Sequence, residues 1–266
     1  MDRFLLVDRV AFTVAGFDVY WYGVIICAAI IAAIVMATAF CKMRNYDTEM
    51  PLNIALVILP TGILAARLFA IVFDSSMSMS DFFNFRTGGM SIIGAVIGGG
   101  LGLLAYVLLK REKDKLRYFD VLCVVLILAQ AIGRWGNYFN SEVYGQVVDA
   151  SSWMARFPFA VEVDGVFYQA LFFYEFVLNM IGFGILSILF LKTDTSGYVT
   201  SGYLIFYGAI RTLLEPLRQE AYILKVAGLP VSQICSIAMI AFGVIMLICT
   251  IVKTKKNKEV KHEQKI

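Results

Sequence analysis

Val121-Leu122-Cys123-Val124-Val125-Leu126-Ile127-Leu128-Ala129-Gln130-Ala131-Ile132-Gly133-Arg134-Trp135-Gly136-Asn137-Tyr138-Phe139-Asn140-Ser141-Glu142-Val143-Tyr144-Gly145 decides the reading of this chain. Its first half, which follows Asp120, is apolar and almost free of charge. Its second half places a guanidinium, two carboxamides and a carboxylate between Arg134 and Glu142. Charge at membrane depth costs several kcal/mol on most scales, so it marks function by default. Arginine suits a phosphate because its planar fork donates two parallel hydrogen bonds. Asn137 and Asn140 are three apart and share a face if the helix continues. The glycines let backbone or ligand approach closely. A purely structural Arg–Glu pair is the bland alternative, but it needs neither the carboxamides nor the glycines.

Of the 266 residues, 60% are hydrophobic and 16% charged, well below the quarter or so that is usual in a soluble domain. The composition is that of a polytopic membrane protein. The five cysteines, Cys27, Cys41, Cys123, Cys235 and Cys249, sit in or at the ends of apolar runs and read as small buried hydrophobes, not as a disulfide framework. The single histidine, His262, lies in the charged tail, so metal and Ser-His or Cys-His chemistry lack their usual imidazole. Basic residues form no patch outside the tail and one short loop, which argues against nucleic acid as a partner. Met1-Asp2-Arg3-Phe4 does not open a signal peptide, so the first apolar run is expected to stay as a span.

A spanning helix needs roughly 17–25 mostly apolar residues. Seven segments meet or approach that length: Tyr20–Phe40, Pro51–Phe73, Met90–Leu109, Tyr118–Tyr138, Ala170–Leu191, Gly202–Leu214 and Val231–Val252. The sixth is the shortest and is expected to run on to about Leu217. The expected fold is an all-α polytopic membrane protein, one seven-helix domain over residues 1–252 followed by a disordered basic tail at 253–266. Of 23 Lys and Arg, fourteen fall on the loops shared with the C-terminus, six on the opposite loops, and Arg67, Arg134 and Arg211 within spans. The positive-inside rule then puts the N-terminus outside and the C-terminus in the cytoplasm, the tail anchoring at the inner face. The connection at about 140–168 becomes an external arm. Val163-Asp164-Gly165-Val166 within it reads as a hairpin turn, so the arm is expected to be partly β. Ala11 to Tyr20 alternates about a turn and is expected to pair or lie flat on the surface.

A second charged group closes the sixth span: Tyr207-Gly208-Ala209-Ile210-Arg211-Thr212-Leu213-Leu214-Glu215-Pro216-Leu217-Arg218. Arg211, Glu215 and Arg218 share one helical face. The bland reading is an intrahelical ion pair with a snorkelling Arg218. Gly94 and Gly98, in the third span, make a small-xxx-small face for close helix packing.

These motifs resemble those of the prolipoprotein diacylglyceryl transferase family. Gly133 to Glu142 matches that family's G-R-x-G-N-[FY]-x-N-x-E, followed by an aromatic and Gly145, and Tyr207 to Arg218 matches Y-G-x-x-R-x-x-x-E-x-x-R. Trp21-Tyr22-Gly23 matches the end of R-W-Y-G, with Tyr20 in place of Arg. Ala65-Ala66-Arg67-Leu68 resembles G-[GA]-R-[IL], with Ala65 at the first Gly. Gln169 to Glu175 keeps the Gln, Tyr and Glu of [HQ]-P-[ST]-x-L-Y-E and loses its Pro and Ser/Thr. Gly88 to Gly98 follows G-G-[ML]-S-x-H/Y-G-G-x-I-G, except that Ile93 stands at the polar ring and Ala95 at the second Gly of the pair after it.

The resemblance implies transfer of the diacylglyceryl group of phosphatidylglycerol to the lipobox cysteine of a prolipoprotein, in a bacterial inner membrane. It implies Arg134, Arg211, Glu142 and Tyr22 as catalytic residues. Arg134, Asn137, Asn140, Gly145, Arg67, Glu215 and Arg218 become substrate contacts. It implies no metal or organic cofactor; the partners are phosphatidylglycerol, the prolipoprotein signal peptide and the lipid bilayer. Ile93 keeps one alternative open, a lipid-binding or scaffold paralogue that does no transfer. A solute transporter would use intramembrane arginines too, but the chain lacks repeated halves with broken helices.

Overall fold

The computed structural model describes residues 8–73, 77–84, 89–110, 114–220, 223, 225–226 and 228–263. Gly88, Arg86, Arg111 and Lys113 lie outside them. Among the described residues the chain forms seven α-helices: α1 (Trp21–Met43), α2 (Met50–Phe73), α3 (Ile92–Leu109), α4 (Leu116–Asn140), α5 (Leu171–Lys192), α6 (Tyr198–Leu214) and α7 (Val231–Glu263). All but α6 are long and apolar enough to cross a membrane. The protein is an all-α polytopic membrane protein with small sheets outside the helices.

Three boundaries differ from the sequence reading, each for a physical reason. Helix α6 begins a turn early, at Tyr198 instead of Gly202. Buried Asp120 accepts hydrogen bonds from the Gly197 amide at 2.7 Å and from the Thr200 amide and hydroxyl at 2.8 and 2.5 Å. A carboxylate at a helix N-terminus satisfies otherwise orphan N–H groups and complements the dipole. At its other end α6 stops at Leu214, and Glu215–Leu217 tightens into a 3₁₀ turn that holds Pro216. Helix α7 does not end at Val252 but continues through the lysine run to Glu263. Lys, Glu and Gln are good helix formers, and neither Gly nor Pro follows Gly243 to stop the helix.

The segments read as alternating form hairpins. β1 (Val10–Val14) pairs antiparallel with β2 (Phe17–Tyr20) across Ala15-Gly16, both at positive φ. β4 (Ala160–Val163) and β5 (Val166–Gln169) are joined by Asp164-Gly165, also both at positive φ. Two positive-φ residues give the turn whose twist matches paired strands. β3 (Val147–Val148) adds to β5, giving the order β3-β5-β4. A short pair, β6 (Lys225–Val226) with β7 (Leu229–Pro230), precedes α7.

The chain folds as two compact units, residues 1–37 with 119–266, and residues 38–118. In the smaller unit α2 and α3 press together along glycines. A Cβ on Gly94 would meet the Ala65 carbonyl at 2.5 Å, and one on Gly98 would meet that of Thr61 at 2.5 Å. The larger unit holds the polar cluster described next. Its sheet rests on an aromatic core of Tyr144, Val161, Ala170 and Phe172, flanked by Trp135, Tyr138 and Tyr168.

Candidate active site

Helices α4, α5, α6 and α7 of the larger unit, with the 3₁₀ turn after α6, supply the cluster. Glu175, one turn into α5 and 1% exposed, is its pivot. Its Oε2 lies 2.5 Å from Arg134 Nε of α4, and its Oε1 accepts from Arg211 Nη1 of α6 at 2.8 Å. Arg211 Nη2 donates to Glu215 Oε2 at 2.9 Å and to the Ser232 hydroxyl of α7 at 2.8 Å, and Ser232 donates to Glu215 Oε2 at 3.1 Å. Arg218 sits 3.7 Å from the same carboxylate oxygen. Such a network is costly to break, because removing one member leaves another charge uncompensated in a low dielectric.

A carboxamide relay extends from Arg134. Helix α4 does continue to Asn140, so Asn137 and Asn140 face one way. Asn137 Nδ2 and Asn140 Nδ2 both donate to Glu142 Oε1, at 3.0 and 3.2 Å. Asn137 Oδ1 in turn accepts from Arg134 Nη1 at 3.4 Å. Glu142 is held in a tight reversal, its own amide bonded to the Asn137 carbonyl at 3.1 Å and its neighbours Ser141 and Val143 at positive φ. Tyr22 packs flat against α4 at Gly136, where a Cβ would meet the ring at 2.7 Å; Trp21 stacks on Phe139 with centroids 5.2 Å apart.

Gly145 is the joint between this loop and the rest of the site. Its amide bonds to the Gln169 carbonyl at 2.9 Å, it bridges to Arg218, and a Cβ there would meet the Gln169 side chain at 2.7 Å. The Arg218 carbonyl accepts from Gln146 Nε2 at 3.3 Å. Burial, and after it the like charge of Arg211, lowers the Arg218 pKa from its usual value. Its Nε and Glu215 Oε1 have no hydrogen-bond partner among the described residues, so this end of the cluster has one donor and one acceptor to spare.

Two other sequence-singled residues belong to the smaller unit. Arg67 is fully buried and donates to the backbone carbonyls of Gly89 at 2.8 Å and Asn84 at 2.6 Å, tying those two residues to α2. Ile93 occupies the first turn of α3, after Ser91, whose hydroxyl caps the helix; its side chain is partly exposed.

Residues 9–249 match the family model for prolipoprotein diacylglyceryl transferase. The chain belongs to that family. It is 35% identical to a phosphatidylglycerol–prolipoprotein diacylglyceryl transferase of Finegoldia magna over 246 residues, covering 91% of this chain and 95% of that protein. It is similarly 35% identical to one of Clostridium novyi over 260 residues, covering 94% and 98%, and 34% identical to one of Clostridioides difficile over 254 residues, covering 94% and 98%.

For this diacylglyceryl transferase family member, sequence reasoning gathered Arg134, Asn137, Asn140, Glu142, Arg211, Glu215 and Arg218, and those lie in the same unit. The carboxylate against Arg134 is that of Glu175, with Asn137 standing between Arg134 and Glu142. Glu175 was legible only as a retained motif residue, although a lone acid inside an apolar run is a signal in itself. Ser232 carried no signal, because a serine near a span end is ordinary.

Proposed function

We infer that this chain is a transferase that moves the diacylglyceryl group of phosphatidylglycerol to the cysteine thiol of a prolipoprotein. The observation that carries the reading, beside family membership, is the meeting of Arg134 and Arg211 from two helices on the one carboxylate of Glu175. Each guanidinium is fixed in place before any ligand arrives. Preorganised donors in a dry site stabilise developing negative charge far better than solvent does.

In this reaction the cysteine sulfur attacks the glyceryl carbon that bears the phosphate ester. A C–S bond forms, the C–O bond breaks, and its electron pair leaves on the oxygen of glycerol phosphate. Arg134 and Arg211 bind the phosphate and take up that charge, and Arg218 with its spare donor supports them. Positive charge also favours the thiolate, the true nucleophile. Glu142 takes the thiol proton on Oε2, the oxygen that neither asparagine engages. Tyr22 lines the site across Gly136. Asn137 and Asn140 orient Glu142, Glu215 orients Arg211, and Gly145 closes the backbone joint.

The substrate's cysteine comes from the lipobox of an exported precursor, and the lipid from the surrounding bilayer of the bacterial inner membrane. With the N-terminus outside and the C-terminus cytoplasmic, the cluster opens toward the outer leaflet, where exported precursors arrive. Reporter fusions test this: one after Ile266 reads as cytoplasmic and one at Asp164 as external, and an external C-terminus overturns the orientation. The activity itself is tested with a lipobox peptide in phosphatidylglycerol membranes. Thioether product and restored lipoprotein modification in cells depleted of their own enzyme are expected. No product from folded protein overturns the reading.

A further inference from the structure

One helical turn below the ionic cluster lies a second polar layer. Asn179 follows Glu175 by four residues on α5, a step of about 6 Å along the same face. It is 0% exposed, and neither Oδ1 nor Nδ2 has a hydrogen-bond partner among the described residues. Its level in the unit is bracketed by two contacts. Above it, Glu175 meets Arg134 and Arg211. Below it, a Cβ on Gly182 would run into Ile127 of α4 and Phe206 of α6. Between those levels α4 presents Gln130 and α6 presents Tyr207. Gln130 Nε2 donates to the Tyr203 hydroxyl at 2.9 Å, while its buried Oε1 has no partner among the described residues. Tyr203 stacks on Tyr207.

Three buried polar atoms, Gln130 Oε1 with Asn179 Oδ1 and Nδ2, therefore sit at one level of a three-helix interface. An unsatisfied buried polar group costs on the order of 1–3 kcal/mol, and two such side chains at one level of the unit call for a ligand. The ligand must be small, neutral and able both to donate and to accept, since the layer offers acceptors and a donor and no charge. Water meets that description, and internal waters typically take about three hydrogen bonds from such groups.

We propose that Asn179 and Gln130 hold internal water beneath Glu175, and that this layer serves the transfer step. The role rests on the reading of Arg134 and Arg211 as phosphate ligands. When a phosphate takes donors from the two arginines, the Glu175 carboxylate loses part of its compensation in a dry environment. Its Oε2 meets Arg134 as an ion pair without an aligned hydrogen bond, so it can accept another donor. Asn179 Nδ2 and its water lie one turn away on the same helix. They stabilise Glu175 while its arginines are engaged by the lipid, which makes Asn179 a positioning residue.

The test has two arms. A high-resolution experimental map of the wild-type protein in lipid nanodiscs is expected to show water within hydrogen-bonding distance of Asn179 and of Gln130 Oε1. Asn179→Leu is expected to lower kcat by about tenfold with KM for phosphatidylglycerol nearly unchanged, the mark of an interaction made in the transition state. Asn179→Ser, which leaves room for a further water, recovers much of that loss. A map that resolves other buried waters but none here overturns the proposal, and so does a folded Asn179→Leu protein with wild-type kcat. Should Asn179→Leu fail to fold, the map and the serine variant decide. If the wild type transfers no diacylglyceryl group, the reading of the reaction fails, while the map still decides the water layer.

Discussion

The α2–α3 pair of the smaller unit and the α4–α5–α6 core of the larger one solve the same problem in opposite ways. Both bury helix against helix in a chain that is mostly apolar. The first does so by removing side chains: Gly94, Gly98 and Gly102 let α3 reach the backbone and small side chains of α2. Van der Waals contact then suffices, which is how helices associate where no hydrophobic force separates lipid from protein. The second fills its interface with Arg134, Glu175, Arg211 and Glu215. Close packing is evidently available to this sequence without charge. The ionic core thus asks for a reason other than packing, which the proposed transfer supplies; Arg67, the buried arginine of the smaller unit, donates to backbone carbonyls.

This contrast can be broken at its strongest point. Glu175→Gln keeps the shape of the pivot and removes the charge shared by two arginines. Breaking a buried ion pair costs about 3–5 kcal/mol, so a large drop in thermal stability in detergent is expected together with loss of transfer. A variant as stable as the wild type would show that the arginines do not depend on Glu175.

Arg134→Lys and Arg211→Lys come next. Each keeps a positive charge and loses the two-pronged fork. Loss of one preorganised donor typically lowers kcat by about 10²–10³, and that range is expected here with membrane insertion intact. Near-normal thioether formation by both variants would remove the arginines from the reaction.

Gly98→Val probes the other side of the comparison. Overpacking usually costs about 1–3 kcal/mol, and a contact with backbone is at the upper end. Lower thermal stability is expected, with kcat of the surviving folded protein little changed. Unaltered stability would mean that α2 and α3 do not need their close approach. The mildest change is Ile93→His, which restores the polar ring of the family pattern. A rate change of no more than a few fold is expected, because the groups assigned to proton transfer and phosphate binding lie elsewhere. A large gain would mean that the wild-type site is crippled at this position.

Much of this was legible in the sequence. Apolar run length gave the helices, because spanning a bilayer sets a minimum length that composition can meet only one way. Asp164-Gly165 announced its hairpin, since Asp and Gly tolerate successive positive φ values, whereas the segment from Ala11 to Tyr20 left pairing and lying flat both open. The motif from Gly133 to Glu142 delivered Arg134 and its carboxamides through helical spacing. What stayed hidden depends on which helices become neighbours. Glu175 and Arg134 are 41 positions apart, and no periodicity links them. Asp120 extended α6 by a turn from across 77 residues, a contact that local propensity cannot encode. Ser232, Gln130 and Asn179 acquire meaning only from what faces them.

Val143 has a different lesson. A β-branched residue at φ 61° is uncommon and strained, by roughly 1–2 kcal/mol for the left-handed region. It stands immediately after the glutamate assigned to the thiol proton. Glycine would relax that backbone and raise the melting temperature, yet it would also free the reversal that aims Glu142 at Asn137 and Asn140. The loop is thus a place where durability and turnover pull apart. A search for sturdier variants that scores only heat resistance would select Val143→Gly and give up catalytic rate in the bargain.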